Sequence, residues 1–298
     1  MQPDQESMKD KVCLITGATS GIGRATAFAL ARLGGTVVVH GRNPEKCETT
    51  VNAIRQETGN PHVETLVADL ASLKDTRRLA QEFMARHPQL HVLVNNAGLS
   101  LRHRKESAEG YELMFAVNHL AHFLLTNLLL DTIVASAPAR IINVSSGLHK
   151  YVKLDLADLQ MTRKFSAMRG YGVSKLANVM FTNELARRLA GLGVTVNAMN
   201  PGMTATNIGM EEGGIFSASK KLMDRIMGRS AEQGADTVIL LATSPEVAGV
   251  SGKYFENRKA IASSAITYDA DACRRLWEIS AELVGLKQTV SAGSGGGR

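Results

Sequence analysis

The sequence contains few of the residues that cross-link a small protein. Its 298 residues include three cysteines, seven prolines and one tryptophan, and 5% of them are aromatic. Cys13, Cys47 and Cys273 lie far apart with no Cys-x-x-Cys pair. This pattern excludes a disulfide scaffold and a cysteine-based zinc site, and it is typical of a reducing compartment. A chain of this length instead buries enough surface for one large core.

Long apolar runs and strong net charge are absent as well. The most apolar stretch, Leu120 to Ala135, is interrupted by polar side chains, so it is too short and too polar to span a bilayer. The segment from Met1 to Lys11 is polar and does not resemble a signal peptide. A net charge of +6 from scattered basic residues argues against nucleic-acid binding. We expect a soluble, cytoplasmic protein without a membrane anchor.

Short β-branched runs alternate with longer helical stretches. The runs that predict strands are Val12–Thr16, Thr36–His40, Val63–Val67, His91–Val94, Arg140–Val144 and Val194–Asn200. Their near-continuous apolar triplets are expected of strands buried on both faces of a parallel sheet. The pattern predicts an α/β fold with a single Rossmann-type, doubly wound parallel sheet and helices on both faces.

Helix signals fill the intervals between these strands. The predicted helices are Gly21–Leu33, one that begins at Asn43-Pro44, Ser72–Arg86, Ser107–Val134, Tyr171–Ala190 and Ser230–Thr243. Asn43 with Pro44 has the form of an N-cap, and Ser230 with Gln233 that of a capping box. We expect an N-terminal tail over 1–8, one domain over 9–285 with a substrate loop at about 202–229, and a flexible tail over 286–298.

A glycine-rich loop follows the first predicted strand. In Thr16 to Gly23, small residues let the backbone approach a pyrophosphate, whose charge is attracted by the N–H groups of the following helix. Its spacing, Gly-x3-Gly-x-Gly, differs from the Gly-x-Gly-x-x-Gly fingerprint. The candidate cofactor-binding residues here are Gly17, Thr19, Ser20, Gly21, Ile22 and Gly23.

The end of the second predicted strand indicates which dinucleotide binds. An acidic residue here holds the ribose 2′-hydroxyl of NAD, but the sequence reads His40-Gly41-Arg42. The planar guanidinium of Arg42 suits a 2′-phosphate, which it grips with paired hydrogen bonds. The sequence therefore favours NADP(H) over NAD(H).

Tyr171 is the one tyrosine followed by a lysine four residues later, at Lys175. This spacing places both side chains on one helix face. A free tyrosine has a pKa near 10, and a nearby ammonium is expected to lower that pKa, which makes the pair a general acid and base. Other polar elements close predicted strands, among them Asn95-Asn96-Ala97-Gly98 and the segment that ends at Ser146.

Together these motifs resemble the short-chain dehydrogenase/reductase family over roughly residues 9–255. The resemblance implies a catalytic set at Asn118, Ser146, Tyr171 and Lys175. It also implies further cofactor contacts at Asp69, Leu70, Asn95, Ala97, Gly98, Tyr171, Lys175, Pro201, Gly202 and Thr206. No metal is implied, and His119, His122 and His149 are interpreted as packing residues, since none has metal-ligand spacing.

The resemblance also implies a reaction. Hydride passes between a nicotinamide and a carbonyl carbon, Tyr171 supplies the proton, and Ser146 hydrogen-bonds the reacting oxygen. Lys175 holds the nicotinamide ribose, and Asn118 positions a water. Because neighbouring residues of a strand point to opposite faces, Ser145 points away from the site that Ser146 faces.

Ser146 and Tyr171 are 25 residues apart, a long spacing for this family. This spacing looks like the retinol dehydrogenase-like branch, which favours a small lipophilic aldehyde or ketone as substrate. Two alternatives stay open: reduction of a carbon–carbon double bond, and an NADP(H)-sensing protein without turnover. The family also implies a possible homo-oligomer through the helices Ser107–Val134 and Tyr171–Ala190.

Overall fold

The computed structural model describes residues 7–202 and 230–286. In these parts eight strands form one sheet: β1 (Val12–Ile15), β2 (Thr36–Gly41), β3 (Val63–Val67), β4 (Val92–Asn95), β5 (Ala139–Val144), β6 (Val194–Asn200), β7 (Tyr254–Glu256) and β8 (Lys259–Ile261). Their order is β3-β2-β1-β4-β5-β6-β7-β8, parallel except for β8, which pairs antiparallel with β7. The predicted doubly wound parallel sheet is confirmed, and β7 and β8 extend it beyond the six predicted strands.

Helices cover both faces of the sheet. They are α1 (Gly21–Arg32), α2 (Pro44–Thr58), α3 (Leu73–Arg86), α4 (Leu113–Phe115), α5 (Ala121–Leu128), α6 (Leu130–Ala135), α7 (Ala167–Arg188), α8 (Ala231–Thr243) and α9 (Ala270–Leu283). Within β2, Val38 packs into the core cluster beneath α3, α5 and α7, whereas Val37 and Val39 pack into the cluster beneath α1 and α8. The apolar triplet is thus explained by burial on both faces.

The predicted caps are present. Asn43 accepts a hydrogen bond from the Lys46 N–H at 2.9 Å, and Pro44 is the first residue of α2. Ser230 and Gln233 form the reciprocal capping box of α8. These contacts satisfy backbone groups that helix ends leave without intrahelical partners.

The predicted helix Ser107–Val134 is wrong in its first part and in its continuity. Residues 107–112 form a turn in which the Ser107 hydroxyl accepts backbone N–H groups, and the buried Glu112 carboxylate caps α4 instead. A π-helical turn, Ala116–Leu120, then joins α4 to α5, and Leu129 separates α5 from α6. The next long helix, α7, begins at Ala167, four residues earlier than predicted, because Ser166 caps it.

The C-terminal helix, α9, packs against α5 and α7. Trp277 of α9 packs against Phe123 of α5 at 4.8 Å and Phe181 of α7 at 5.7 Å between ring centroids. The guanidinium of Arg188 lies 4.2 Å from the Trp277 ring centroid. The α9 helix of the same chain therefore covers part of the surface of α5 and α7, and association of two copies through these helices stays a prediction.

The domain begins one residue earlier than expected. Met8, assigned to the tail from the sequence, is buried and donates its N–H to Leu33 O at 2.9 Å. The expected substrate loop beyond Gly202 and the tail from residue 287 lie outside the described residues. Among the helices of the described ranges, none is both long enough and apolar enough to cross a membrane.

Candidate active site

The predicted site residues gather at the carboxyl edge of the sheet. The glycine loop follows β1, and residues 95–98 close the neighbouring strand β4. Between β1 and β4 the strand order reverses direction, and ligands of open α/β sheets bind at such a switch point.

Close packing fixes the glycine loop. A Cβ on Gly17 would lie 2.8 Å from the Cα of Ala97, and one on Gly23 would lie 2.5 Å from both the Asn96 side-chain nitrogen and Gly17 O. Gly17 also has a φ of +65°, which side chains disfavour. Only glycine fits these two positions, and the bare backbone leaves room for a ligand to approach.

The start of α1 fits a dinucleotide pyrophosphate. Its N-cap residue, Ser20, makes no side-chain hydrogen bond to the helix, so the first N–H groups of α1 are not satisfied in that way. Ile22 is buried beneath them and anchors the turn. The helix dipole and these N–H groups favour an anion here, and the chemistry of the loop matches the implied cofactor.

Three side chains hold the glycine loop in place, and the sequence pattern did not predict this role for any of them. The Thr16 hydroxyl accepts the N–H groups of Asn96 at 2.9 Å and Ala97 at 3.0 Å, and the Asn96 amide donates to Thr16 O at 2.8 Å. The fully buried His40 accepts the Gly17 N–H at 3.3 Å. Burial lowers the pKa of His40 to about 4, so the ring is neutral at pH 7.

The end of β2 is a basic region beside the loop. Gly41 packs against Thr19, because a Cβ on Gly41 would lie 2.7 Å from the Thr19 methyl group. Arg42 follows it and is exposed. An adjacent pocket of about 210 Å³ is lined by Thr19, Arg24 and Lys46, among others. Arg24 and Lys46 were not singled out in the sequence, since their approach to this pocket depends on the packing of α1 against α2.

The candidate cofactor residues after β3 and β4 differ in their exposure and in their hydrogen bonds. Asp69 is exposed and accepts the Ala71 N–H at 2.9 Å, whereas Leu70 is buried. Asn95 is fully buried, and its amide donates to Thr126 and Asn143 inside the fold. A contact from Asn95 to a dinucleotide would therefore have to come from its backbone.

Further along the edge, two glycines approach the catalytic elements. A Cβ on Gly98 would lie 3.3 Å from both Lys175 Nζ and Asn118 Oδ1. Gly202 adopts a φ of +77° directly after Pro201, and its N–H donates to the Asn200 side chain. Thr206 lies outside the described residues.

Ser146, Tyr171 and Lys175 meet above the end of β5. The Ser146 side chain lies near enough to the Tyr171 phenol to lower the pKa of that phenol. Lys175, buried apart from 2% of its surface, donates from Nζ to Val144 O at 3.0 Å, and its Nζ lies 5.7 Å from the Tyr171 ring centroid. Ser145 is buried and donates to Lys175 O instead.

Burial dominates the pKa values of the pair. Desolvation raises the pKa of Tyr171 to about 12, although the neighbouring Ser146 hydroxyl lowers it, and desolvation lowers the pKa of Lys175 to about 8. The expectation that Lys175 brings the tyrosine pKa below 10 is wrong for this structure, because the cost of burying a phenolate is larger. Tyr171 is thus protonated at neutral pH, as a proton donor must be.

Asn118 lies in the π-helical turn and ties three elements together. Its side chain accepts the Leu99 N–H at 2.8 Å and donates to Leu99 O at 2.9 Å and to the Ser174 hydroxyl at 3.0 Å. Ser174 in turn donates to Tyr171 O. Because π-helical turns are frequent at functional sites, this turn is consistent with a role for Asn118 in orienting the segment that carries Tyr171.

A buried hydrogen-bonded chain supports the backbone of Asn118. Asn178 of α7 donates to Asn118 O at 2.8 Å, its Oδ1 lies 3.1 Å from His119 Nδ1, and His119 Nε2 lies 2.9 Å from the Ser280 hydroxyl in α9. Asn178 was missed in the sequence because 60 residues separate it from Asn118. His119, interpreted as a packing residue, is buried with aromatic rings around it.

Comparisons with known proteins show the family to which the chain belongs. A family model described as short chain dehydrogenase matches residues 11–214. Retinol dehydrogenase 13 of Homo sapiens is 44% identical over 96% of this chain and 88% of its own. Polyprenol dehydrogenase of Homo sapiens is 39% identical over 96% of this chain and 88% of its own.

A solved structure adds support at the level of the fold. The Pseudomonas aeruginosa RhlG/NADP active-site complex superposes with a TM-score of 0.69 and 28% identity, and the match covers 86% of this chain and 97% of that chain. The chain therefore belongs to the short-chain dehydrogenase family of oxidoreductases, among its retinol dehydrogenase-like members.

Proposed function

We propose that the protein interconverts a carbonyl and an alcohol on a small lipophilic substrate, with NADP(H) as cofactor and Tyr171 as general acid and base. The observation that carries this proposal is the proximity of the Ser146 side chain to a partly buried, protonated Tyr171, with the Lys175 ammonium 5.7 Å from the centroid of the tyrosine ring. Two neighbouring hydroxyl groups suit a substrate oxygen that gains charge during reduction.

Each side chain has a distinct task. Tyr171 donates its proton to the substrate oxygen, and Ser146 hydrogen-bonds the same oxygen. Lys175 places a positive charge beneath the tyrosine ring and holds the nicotinamide ribose. A nicotinamide bound along the glycine loop supplies the hydride, so the chain itself contributes alignment, a proton and charge stabilisation.

Two features support a lipophilic substrate. Exposed apolar side chains adjoin the catalytic pair: Leu148 lies two residues after Ser146, and Met168 precedes Tyr171 by less than one helical turn. The names of the relatives, retinol dehydrogenase and polyprenol dehydrogenase, refer to apolar alcohols.

All three cysteines are free and buried, which suits a reducing compartment such as the cytoplasm.

Product analysis tests the reaction class. The protein is incubated with NADPH or NADH and a panel of apolar aldehydes and ketones, retinal included, together with matched enones. Formation of the alcohol with NADPH is the expected result. Saturation of the enone double bond would instead indicate a double-bond reductase, and tight NADPH binding without any product would indicate a sensing protein.

Replacing Arg42 tests the choice of cofactor. Arg42→Ala removes the guanidinium proposed to hold the 2′-phosphate, and the loss of a charge-assisted hydrogen bond costs about 1.5–3 kcal/mol. NADPH should therefore bind about 10- to 150-fold more weakly, whereas the Kd for NADH should change little. Titration of each cofactor by fluorescence measures both values.

A control variant separates the local contact from net charge. Arg32→Ala removes one positive charge from the exposed end of α1, where Arg32 pairs with Glu57, and should leave both affinities unchanged. Equal weakening of NADPH and NADH by Arg42→Ala would contradict a role for this arginine in phosphate binding.

A further inference from the structure

His149 lies against the backbone of the catalytic serine. It belongs to the 3₁₀ turn Gly147–Tyr151 and is fully buried. Its ring Nδ1 lies 2.7 Å from Ser146 O, and its own backbone N–H donates to the same carbonyl oxygen at 3.2 Å. Two donors from one residue therefore hold a single carbonyl.

The far side of the His149 ring is held by the C-terminal part of the chain. Nε2 accepts the Ser264 N–H at 3.2 Å, and the ring packs on Tyr254 with 4.7 Å between centroids. Both Tyr254 and Ser264 lie beyond residues 11–214, which the family model matches. This support comes from a region that the general family pattern does not describe.

The partners define one form of the imidazole. A carbonyl oxygen only accepts and a backbone N–H only donates, so Nδ1 carries the hydrogen and Nε2 is bare. Both nitrogens are then satisfied by the neutral ring without any further group. Burial lowers the pKa of His149, which favours this neutral form.

Fixing the carbonyl of Ser146 also fixes its side chain. Ser146 has an extended backbone and accepts the Leu148 N–H on its hydroxyl at 3.3 Å, and the same side chain lies near enough to the Tyr171 phenol to lower its pKa. A rotation of the Ser146–Gly147 peptide would break both His149 contacts to the Ser146 carbonyl and would shift the turn whose Leu148 N–H donates to the Ser146 hydroxyl. The turn thus restrains both the backbone carbonyl and the side-chain hydroxyl of Ser146.

We propose that His149 is a positioning residue that holds the Ser146 hydroxyl in place for catalysis, and that Tyr254 and Ser264 hold His149. This inference rests on the proposed function, in which Ser146 contacts the reacting oxygen. A misplacement of about 1 Å in an active site costs up to about a hundredfold in rate. The effect is therefore expected in kcat, with little change in the Kd for NADPH.

Three substitutions separate the two contacts of the ring. His149→Phe keeps a ring against Tyr254 but removes both hydrogen bonds, and should lower kcat about 10- to 100-fold. The amide nitrogen of Asn reaches as far as Nδ1, so His149→Asn restores the donor to Ser146 and should recover most of kcat. His149→Gln places its amide at the distance of Nε2, towards Ser264, and should recover little.

A matched control is available at the opposite edge of the sheet. The buried His91 accepts the Val12 N–H at 3.0 Å on Nδ1. His91→Phe makes the same chemical change far from Ser146, so it should lower the Tm without lowering kcat. Tm, kcat and NADPH Kd are measured for every variant.

The outcomes separate this inference from the proposed function. If the wild type reduces none of the carbonyls, the proposed function fails and the inference fails with it. If the wild type is active and His149→Phe retains its kcat, only the inference is overturned. Should the Phe variant not fold, the Asn and Gln variants decide: kcat higher in Asn than in Gln supports positioning, and equal values overturn it.

Discussion

Tyr171→Phe is expected to lower kcat for carbonyl reduction by about a hundredfold or more. The substitution keeps the ring but removes the proton donor, and general acid catalysis contributes roughly 10²–10⁴ in rate. The tyrosine hydroxyl is the group whose pKa burial raises to about 12, so it carries its proton throughout the neutral range. Steady-state kinetics with an accepted aldehyde measures the loss.

The same substitution elsewhere provides a control. Tyr111 donates its hydroxyl hydrogen to Leu283 O at 2.7 Å, outside the candidate site. Tyr111→Phe should retain kcat and lose a little stability, because one hydrogen bond contributes about 1 kcal/mol. NADPH affinity should be unchanged in both variants. A Tyr171→Phe enzyme with near wild-type kcat would remove Tyr171 from the mechanism.

The sequence predicted the fold and the order of the motifs because both depend on local patterns. Apolar triplets such as Val37–Val39 predict strands buried on both faces, and in a parallel sheet the residues after each strand meet at one edge. Ser146 and Tyr171 therefore come together as expected. Tyr171 and Lys175 were predicted to lie on one helix, and both are residues of α7.

Other elements depend on contacts that a local pattern does not contain. The strands β7 and β8 have three residues each, and both residues of their turn, Asn257 and Arg258, adopt positive φ. Such a turn favours Asn or Gly at both positions, and arginine gives no such signal. The sequence predicted a helix from Ser107, but the helix begins beside the buried Glu112. The carboxylate of Glu112 accepts N–H groups of α4, and this contact depends on tertiary packing.

The electrostatics of the site were the least predictable part. The spacing of Tyr171 and Lys175 gives their proximity but not their burial, and burial decides the direction of both pKa shifts. Likewise, no pattern in the sequence shows that Asn178 meets Asn118 or that His149 meets Ser264. These contacts join α7 and the C-terminal region to the site, and they exist only after the chain has folded.

Buried histidines give the second large prediction, a loss of stability in mild acid. Burial lowers the pKa values of His40 and His119 to about 4 each, and that of His122 well below its ordinary value. In the unfolded chain a histidine has a pKa near 6.5. Between these values the unfolded chain binds more protons than the folded protein, so the free energy of unfolding falls as pH falls.

The size of this loss follows from proton linkage. Each histidine that stays neutral in the fold contributes a slope of about 1.4 kcal/mol per pH unit once the unfolded form is protonated. For His40 and His119 together, the loss between pH 8 and pH 5 is about 4 kcal/mol. This is a large share of the roughly 5–15 kcal/mol that stabilises a typical domain.

Denaturant titrations at fixed pH values between 5 and 8 measure the slope directly. His119→Gln should reduce it by about 1.4 kcal/mol per pH unit below pH 6, because one buried titrating group is removed. An equal slope in wild type and His119→Gln would show that His119 is not held neutral by the fold, and it would undermine the hydrogen-bonded chain from Ser280 through His119 to Asn118.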